Sequence, residues 1–134
     1  MLHIDIVCVG KIRESYLKDA IAEYQKRLSK YCILNIIELP DEKLPSKLND
    51  SLSFEIKQKE SNLILSHIKK DSYIIALDLK GKNYTSTQFS EKIQNLSLIT
   101  SHITFLIGGT LGMTDELLAN AKELICFSKM TFPH

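Results

Sequence analysis

The sequence alternates along its length between short apolar runs and longer amphipathic segments. Five runs rich in β-branched and other apolar residues predict strands at 3–9, 33–39, 73–77, 102–107 and 124–127. The segments between them predict four helices, because their apolar residues recur at spacings of three and four. Strands that alternate with helices form a mainly parallel sheet with helices on both faces. The expected fold class is therefore α/β.

Polar residues predict where the helices begin and which side chains face water. Ser15 and Thr114 are the predicted N-caps of the first and last helices, and Ser51 or Ser53 is that of the second. The sequence Lys-Gly-Lys-Asn at 80–83 predicts a turn after the third strand. On the second helix, four charged residues are expected to face water, namely Glu55, Lys57, Lys59 and Glu60.

Length and composition limit the class of protein. The 134 residues fit one domain, 1–134, since domains contain roughly 100–200 residues. Lys and Arg number 17 against 16 for Asp and Glu, a formal net charge of +1, which excludes binding of nucleic acid through overall charge alone. No apolar run approaches the roughly 18 residues of a membrane span, and the first residues lack the pattern of a secretory signal. We therefore expect a cytoplasmic protein that does not enter the membrane.

The three cysteines, Cys8, Cys32 and Cys126, are widely spaced and lie in apolar runs. No Cys-x-x-Cys pair is present in the sequence, so neither a zinc site nor a redox dithiol is predicted. We expect small buried hydrophobic side chains in a reducing compartment, and no metal.

Three segments are candidate ligand-binding loops, because each follows the carboxyl end of a predicted strand. They are the turn after Leu77, the loop 108–112 and the tail after Phe127. In parallel sheets ligands bind beyond these ends, where glycine lets a ligand approach the backbone. The Gly-Gly-x-x-Gly spacing of the loop matches neither the dinucleotide fingerprint nor a phosphate loop. Asp115 and Glu116 follow it; they either favour a cationic or zwitterionic ligand over a phosphate, or simply cap the next helix.

The last residues of the sequence, 127–134, combine two phenylalanines and a methionine with polar groups. Such a tail would expose a sizeable apolar patch if it were free in solvent. We expect it to lie against the sheet or against a second subunit, or to be followed by further residues in the natural chain.

Several stretches match a known family in the same order. They are Gly10-Lys11, Ile37-Glu38-Leu39-Pro40-Asp41-Glu42-Lys43, Leu77-Asp78 with Gly81-Lys82, Phe105-Leu106-Ile107-Gly108-Gly109, and Phe127-Ser128-Lys129-Met130-Thr131-Phe132-Pro133-His134. The last string is specific, whereas the glycine pair alone would not be. Over its whole length the chain resembles the RlmH (YbeA) family of bacterial 23S ribosomal RNA pseudouridine N3-methyltransferases, which belongs to the SPOUT class.

The resemblance implies a fold, a cofactor and partners. It implies a C-terminal trefoil knot, S-adenosylmethionine as the methyl donor without a metal, a homodimer, and 23S ribosomal RNA within the ribosome as the partner. The acceptor atom would be N3 of a pseudouridine. Carried over position by position, the cofactor contacts fall on Leu77, Gly108, Phe127, Ser128, Lys129, Met130, Thr131 and Phe132.

One segment of the family has no counterpart in this sequence. The family continues beyond Pro-His into a C-terminal helix that completes the knot, contributes to the dimer interface and supplies a terminal histidine and basic groups, whereas this sequence stops at His134. The expectation is a truncated chain, with a knot that the truncation can leave incomplete and no assigned catalytic residue. His134 could act as a base, but a structural Pro-His turn is the favoured interpretation. Two functions stay open: an active RNA methyltransferase, and a catalytically inactive remnant that retains the fold and dimerises or binds RNA.

Basic residues cluster around the first loop and helix, at Lys11, Arg13, Lys18, Lys26, Arg27 and Lys30. Acidic residues interleave with them, which favours a solvated helix face. The alternative is contact with ribosomal RNA phosphates, for which the affinity would fall steeply with salt.

Overall fold

The computed structural model describes residues 1–132 of the chain. The strands are β1 (Leu2–Val9), β2 (Cys32–Leu39), β3 (Tyr73–Lys82), β4 (His102–Ile107) and β5 (Glu123–Ile125). The helices are α1 (Ser15–Leu28), α2 (Asp50–Ser66), α3 (Ser86–Ser97) and α4 (Asp115–Ala119). The five strands form one parallel sheet in the order β2-β1-β4-β3-β5, which confirms the predicted α/β class. None of the helices within residues 1–132 has the length and apolar character needed to span a bilayer.

The helices cover both faces of the sheet, and each face has its own apolar core. On one face, Ile64 of α2 and Leu117 of α4 pack in a cluster with Val7 of β1. On the other face, Leu96 of α3 packs in a cluster with Ile75 of β3. Because neighbouring residues of a strand point to opposite faces, the central strands bury apolar side chains on both sides, as parallel sheets require.

The third strand is longer than the sequence predicts. Rather than ending at Leu77 and turning at 80–83, β3 extends to Lys82. The register shifts between Leu77 and Lys82, and both residues pair with Ile125 of β5. The residues between them form a bulge outside the ladder, and this bulge accounts for their turn-like composition. The predicted turn at 80–83 is wrong. Gly81 allows Lys82 to pair with Ile125 after the bulge. A side chain at position 81 would clash, because a Cβ there would lie 2.6 Å from backbone atoms of Ile125.

Two helix caps can be compared with their predictions. Thr114 is the N-cap of α4, as predicted, and its hydroxyl accepts a hydrogen bond from the backbone N–H of Leu117 at 3.2 Å. The N-cap of α2 is Asn49, so the prediction of Ser51 or Ser53 is wrong. The Asn49 side chain accepts from the backbone N–H three residues on, at 2.7 Å. Asparagine serves in this position as well as serine does.

Two further boundaries differ from their predictions. Glu14 rather than Ser15 occupies the N-cap of α1, and its side chain makes no cap hydrogen bond. The fifth strand covers Glu123–Ile125 instead of 124–127. The chain leaves the ladder there, because the N–H of Cys126 makes the last bond to β3, 3.0 Å from the Lys82 carbonyl oxygen.

One charged residue of α2 lies in the core. Glu60 was expected in water, but it is only 5% exposed, so that prediction is wrong. Glu55 and Lys59 do lie at the surface, where they form an ion pair at 3.8 Å. Glu60 follows Ile56 by four residues and precedes Ile64 by four, which places it on the helix stripe that faces the sheet. Its position on the helix, rather than its charge, decides where it points.

Glu123 of β5 accepts three hydrogen bonds, one of which joins α3 to the sheet. Its carboxylate accepts from Lys92 Nζ at 2.7 Å, from the Tyr84 hydroxyl at 2.9 Å and from the Tyr73 hydroxyl at 3.0 Å. Burial raises the pKa of Glu123, but the hydrogen bonds that it accepts outweigh burial and hold this pKa below its ordinary value of 4.5. The hydrogen bond to Glu123 raises the pKa of Lys92 in turn. Both partners are therefore charged at neutral pH.

We expect Glu123→Gln to lower the free energy of unfolding by about 1–3 kcal/mol at neutral pH, because three donors lose a charged acceptor. Since the folded pKa is depressed, the stabilisation is fully present above pH 4.5, and it is lost as the pH falls from there through the lower pKa of the folded state. The wild type should therefore lose more stability than the variant between about pH 6 and pH 3. Urea unfolding across this range measures both effects, with the exposed Glu91→Gln of α3 as the control. Equal pH profiles for the wild type and Glu123→Gln would contradict this role.

Candidate functional site

A cleft of about 650 Å³ opens at the carboxyl edge of the sheet, beside the bulged part of β3 and beyond the end of β4. Its walls come from residues 77–80, 107–113 and 131–132. These belong to the three segments predicted from the strand ends, and the structure brings all three together. A second cleft, of about 350 Å³, lies around Met1 and residues 97–101 at the opposite edge and includes none of these segments.

Leu77 and Ile107 provide an apolar wall of the cleft. The register pairs Ala76 of β3 with Leu106 of β4, so the residues that follow them lie side by side. Both Leu77 and Ile107 are half-buried, and Leu77 also packs against the core beneath α3. A flat apolar group can therefore lie against this wall without displacing the core.

The glycine loop, residues 108–112, is closed by a tight turn. The backbone N–H of Gly112 donates to the carbonyl of Gly109 at 2.9 Å. Gly112 has a φ of 82°, in the left-handed region that favours glycine. Gly108 lies close to this turn, since a Cβ on it would stand 3.0 Å from the Gly112 carbonyl carbon and 2.9 Å from Met113 Cγ. The loop therefore presents backbone atoms to the cleft at these positions.

Acidic residues follow the loop in the first turn of α4. Asp115 and Glu116 are exposed there, two and three residues beyond Met113 of the cleft wall. They place negative charge at the N-terminus of α4, which would otherwise favour an anion. This charge either favours a cationic or zwitterionic ligand over a phosphate or serves to cap α4, as the sequence already indicated.

Among the described residues of the tail, 127–132, the last two line the cleft. Of its six predicted contact positions, Thr131 and Phe132 line the cleft, whereas the preceding four lie outside the lining, namely Phe127, Ser128, Lys129 and Met130. Phe127 instead packs edge-on against Phe89 of α3, with ring centroids 6.2 Å apart. The hydroxyl of Ser128 accepts from the backbone N–H of Met130 at 3.0 Å, which closes a turn in the tail.

The residue that precedes the tail, Cys126, is hydrogen-bonded to the extended end of β3 and to the residue after it. The N–H of Cys126 donates to the carbonyl of Lys82 at 3.0 Å. The carbonyl of Cys126 accepts from the side-chain amide of Asn83 at 2.8 Å. The position of the tail therefore depends on the part of β3 that the sequence alone assigned to a turn.

Several residues of the cleft wall were not among the predicted contacts, namely Asp78, Leu79, Lys80, Thr110, Leu111 and Met113. Asp78 does have a recognisable signal, because its carboxylate accepts from the backbone N–H of Lys80 at 2.9 Å, in an Asx turn. An aspartate directly after a buried strand is a frequent beginning of such a turn. The other residues have no sequence signal beyond their position at a strand end.

The titratable groups of residues 1–132 include no set of three or more His, Cys, Asp or Glu side chains arranged to hold a metal ion.

His102 begins β4 at the edge opposite the cleft, and its Nε2 lies 2.9 Å from Oδ2 of the buried Asp5. The candidate base His134 lies outside the described residues. We therefore assign no catalytic acid or base.

The three cysteines are free thiols, of which Cys32 and Cys126 are buried as predicted, while Cys8 is half-buried. Burial raises the pKa of the Cys8 thiol, and the neighbouring Glu38 adds to this effect. Burial likewise raises the pKa of Cys32. Both groups are neutral thiols at physiological pH, which disfavours a nucleophilic role.

Comparison with known proteins identifies the family. The family model described as "Predicted SPOUT methyltransferase" matches residues 2–134. The chain is 52% identical over 134 residues to "Ribosomal RNA large subunit methyltransferase H 1" of Clostridium perfringens (strain SM101 / Type A), covering 99% of this chain and 84% of that protein. It is 57% identical over 136 residues to "Ribosomal RNA large subunit methyltransferase H" of Clostridium botulinum (strain Kyoto / Type A2), with the same two coverages, 99% and 84%. These matches confirm the resemblance found in the sequence motifs, and the chain belongs to the SPOUT methyltransferase family.

Proposed function

We propose that this chain methylates ribosomal RNA of the large ribosomal subunit, with S-adenosylmethionine as the donor and N3 of a pseudouridine in 23S RNA as the acceptor. The observation that carries the proposal is the convergence of Leu77, the glycine loop and residues 131–132 at one cleft. The family and the names of the two clostridial relatives support the reaction and the type of RNA.

The cleft suits S-adenosylmethionine in size, polarity and charge. Its volume of about 650 Å³ falls within the roughly 300–1,000 Å³ of small-molecule sites. Leu77 and Ile107 offer an apolar wall to the adenine, and Gly108 leaves backbone atoms free to meet the ribose and the methionine part. The sulfonium carries a positive charge, which suits the nearby Asp115 and Glu116.

The proposed cofactor contacts are those that the family pattern indicates: Leu77, Gly108, Phe127, Ser128, Lys129, Met130, Thr131 and Phe132. Backbone N–H and C=O groups of the tail would bind the polar edge of the adenine. Thr131 and Phe132 already line the cleft. Contact with residues 127–130 requires that the bound ligand extend from the cleft along the tail.

The bound donor supplies an electrophilic methyl group, so the protein needs no nucleophile of its own. The chain holds the acceptor nitrogen in line with that methyl group, and such positioning accounts for much of the rate enhancement in reactions of this kind. The acceptor N–H must also lose its proton. Among the described residues of the cleft wall, Lys80 is the one cation, and it would stabilise the negative charge that develops on the base.

The proposed homodimer is supported by the exposed apolar side chains of α1. No residue of α1 is buried within the protomer, although a surface helix normally buries one apolar stripe. Its exposed large side chains are Tyr16, Leu17, Tyr24 and Leu28. A second copy of the chain would cover this surface.

A Tyr24→Lys/Leu28→Lys variant should therefore weaken the proposed dimer at least roughly tenfold, because two charges would enter an apolar interface. Sedimentation equilibrium of the variant and the wild type measures the dissociation constant. Leu65→Lys is the matched control, since Leu65 is also exposed but lies on α2. A wild-type protein that sediments as a monomer would overturn the proposed dimer.

The proposed architecture is one domain with the trefoil knot of the family, working in the cytoplasm where the ribosomes are. The family, whose model matches residues 2–134, supports the knot.

Two measurements test the proposed function. Titration calorimetry should show binding of S-adenosylmethionine, and radiolabelled donor should label 23S RNA in large ribosomal subunits from a strain that lacks the modification. Binding without transfer would favour the alternative of an inactive protein that retains the fold. Absence of binding heat at high donor concentration would contradict the cofactor assignment.

A further inference from the structure

Two consecutive polar residues of helix α2 contact the glycine loop and the residue that caps α4 after it: Glu60 approaches Gly109, and Ser61 bonds to Thr114. They are 5% and 2% exposed, although charged and polar side chains mostly face water. Neither residue lines the cleft, and neither is a proposed cofactor contact. Their burial is explained by what they hold at the two ends of the loop.

Ser61 holds the chain just beyond the glycine loop, at Thr114. Its hydroxyl accepts from the backbone N–H of Thr114 at 3.0 Å, in a bond that is fully buried. Thr114 is itself the N-cap of α4, and its hydroxyl accepts from the N–H of Leu117 at 3.2 Å. The Ser61 bond therefore ties α2 to the junction between the loop and α4. Without it, the N–H of Thr114 would be buried with no acceptor, which is strongly unfavourable.

Glu60 stands against the start of the glycine loop. A Cβ on Gly109 would lie 2.8 Å from Glu60 Oε1, so the loop backbone packs directly on the carboxylate. The other oxygen, Oε2, accepts from the backbone N–H of Glu42 at 3.0 Å. Glu42 lies in the connection between β2 and α2. Glu60 therefore links the loop to a second segment at the same edge of the sheet.

We propose that Glu60 and Ser61 are positioning residues, which hold the glycine loop in the geometry that binds the methyl donor. This role rests on the proposed function, because it requires the donor to occupy the cleft. Glycine has the greatest backbone freedom of all residues, so this loop contains little that fixes its own shape. Anchors from a packed helix set that shape before the ligand arrives, which reduces the entropy lost on binding.

Ser61→Ala should raise the dissociation constant of S-adenosylmethionine about fivefold to tenfold, because the loop loses its anchor at Thr114. In the ligand-free protein, amide hydrogen exchange at Thr114 and along residues 109–113 should accelerate by a larger factor than the accompanying loss of global stability accounts for. Ser66→Ala is the matched control, since Ser66 is exposed on the same helix and its hydroxyl contacts residues of its own helix end, the Leu63 carbonyl at 2.7 Å and Nδ1 of His67 at 3.1 Å. The control should alter neither affinity nor exchange.

Gly109→Ala tests the Glu60 contact, because the added methyl group and the Glu60 carboxylate cannot both keep their positions, and the contact between loop and α2 is lost whichever of them moves. Ser61→Ala and Gly109→Ala loosen the same segment, so their combined effect on the dissociation constant should be less than the product of the two. A Ser61→Ala protein with lower global stability but unchanged affinity and loop exchange would show a merely structural role and overturn the proposal. A wild-type protein that binds no donor would overturn the proposed function instead. Amide hydrogen exchange in the ligand-free Ser61→Ala protein would then still decide whether α2 anchors the loop.

Discussion

Gly81→Ala should lower the free energy of unfolding by roughly 3 kcal/mol or more. A Cβ at this position would lie 2.6 Å from three backbone atoms of Leu124 and Ile125. A flexible side chain could rotate away from such a contact, but Ile125 is fully buried and paired with β3, so its backbone cannot move alone. Because the same contact fixes the start of the tail, the variant should also lose the cleft at which the donor is proposed to bind.

Circular dichroism and urea unfolding measure the effect of Gly81→Ala. Lys80→Ala is the matched control, since it replaces the preceding residue of β3 by alanine at an exposed position. The control should change the free energy of unfolding by less than about 0.5 kcal/mol. A Gly81→Ala protein as stable as the wild type would contradict the close crossing of β3 and β5.

Gly108→Ala should leave the fold intact but weaken the binding of S-adenosylmethionine roughly tenfold to a hundredfold, since overpacking of this kind typically costs about 1–3 kcal/mol. The new methyl group would lie 2.9 Å from Met113 Cγ and 3.0 Å from the carbonyl carbon of Gly112. The Met113 side chain can rotate away, whereas the Gly112 backbone is held by its own turn. The loop must therefore shift at the wall where the donor is expected.

Titration calorimetry of Gly108→Ala measures the loss of affinity, and circular dichroism verifies that the fold remains. Thr87→Ala, at an exposed position in the first turn of α3, is a control that should bind the donor as the wild type does. Unchanged affinity in Gly108→Ala would mean that the donor does not lie against the glycine loop.

The order of strands and helices could be predicted because each inner strand of a parallel sheet is a nearly continuous apolar run. The run at 102–107 predicted β4 with the bounds that it has in the structure. The turn predicted at 80–83 was wrong because Lys82 pairs with Ile125, far away in sequence. Gly81 serves this long-range contact, and no local pattern distinguishes that use of glycine from a turn.

The place of the site could also be predicted, since loops at the carboxyl ends of neighbouring parallel strands meet at one edge. Which residues of the tail line the cleft could not be predicted, because the position of the tail depends on the hydrogen bonds between Cys126 and the end of β3. The burial of Glu60 had a signal in its spacing from Ile56 and Ile64, but its charge favoured the wrong prediction.

A crystal structure of the protein soaked in S-adenosylmethionine tests the central claim most directly. We expect density for the donor between Leu77 and the glycine loop, with residues 131–132 in contact with it. A cleft without donor density at saturating concentration, or donor bound only at the opposite edge around Met1, would contradict the assignment of the site.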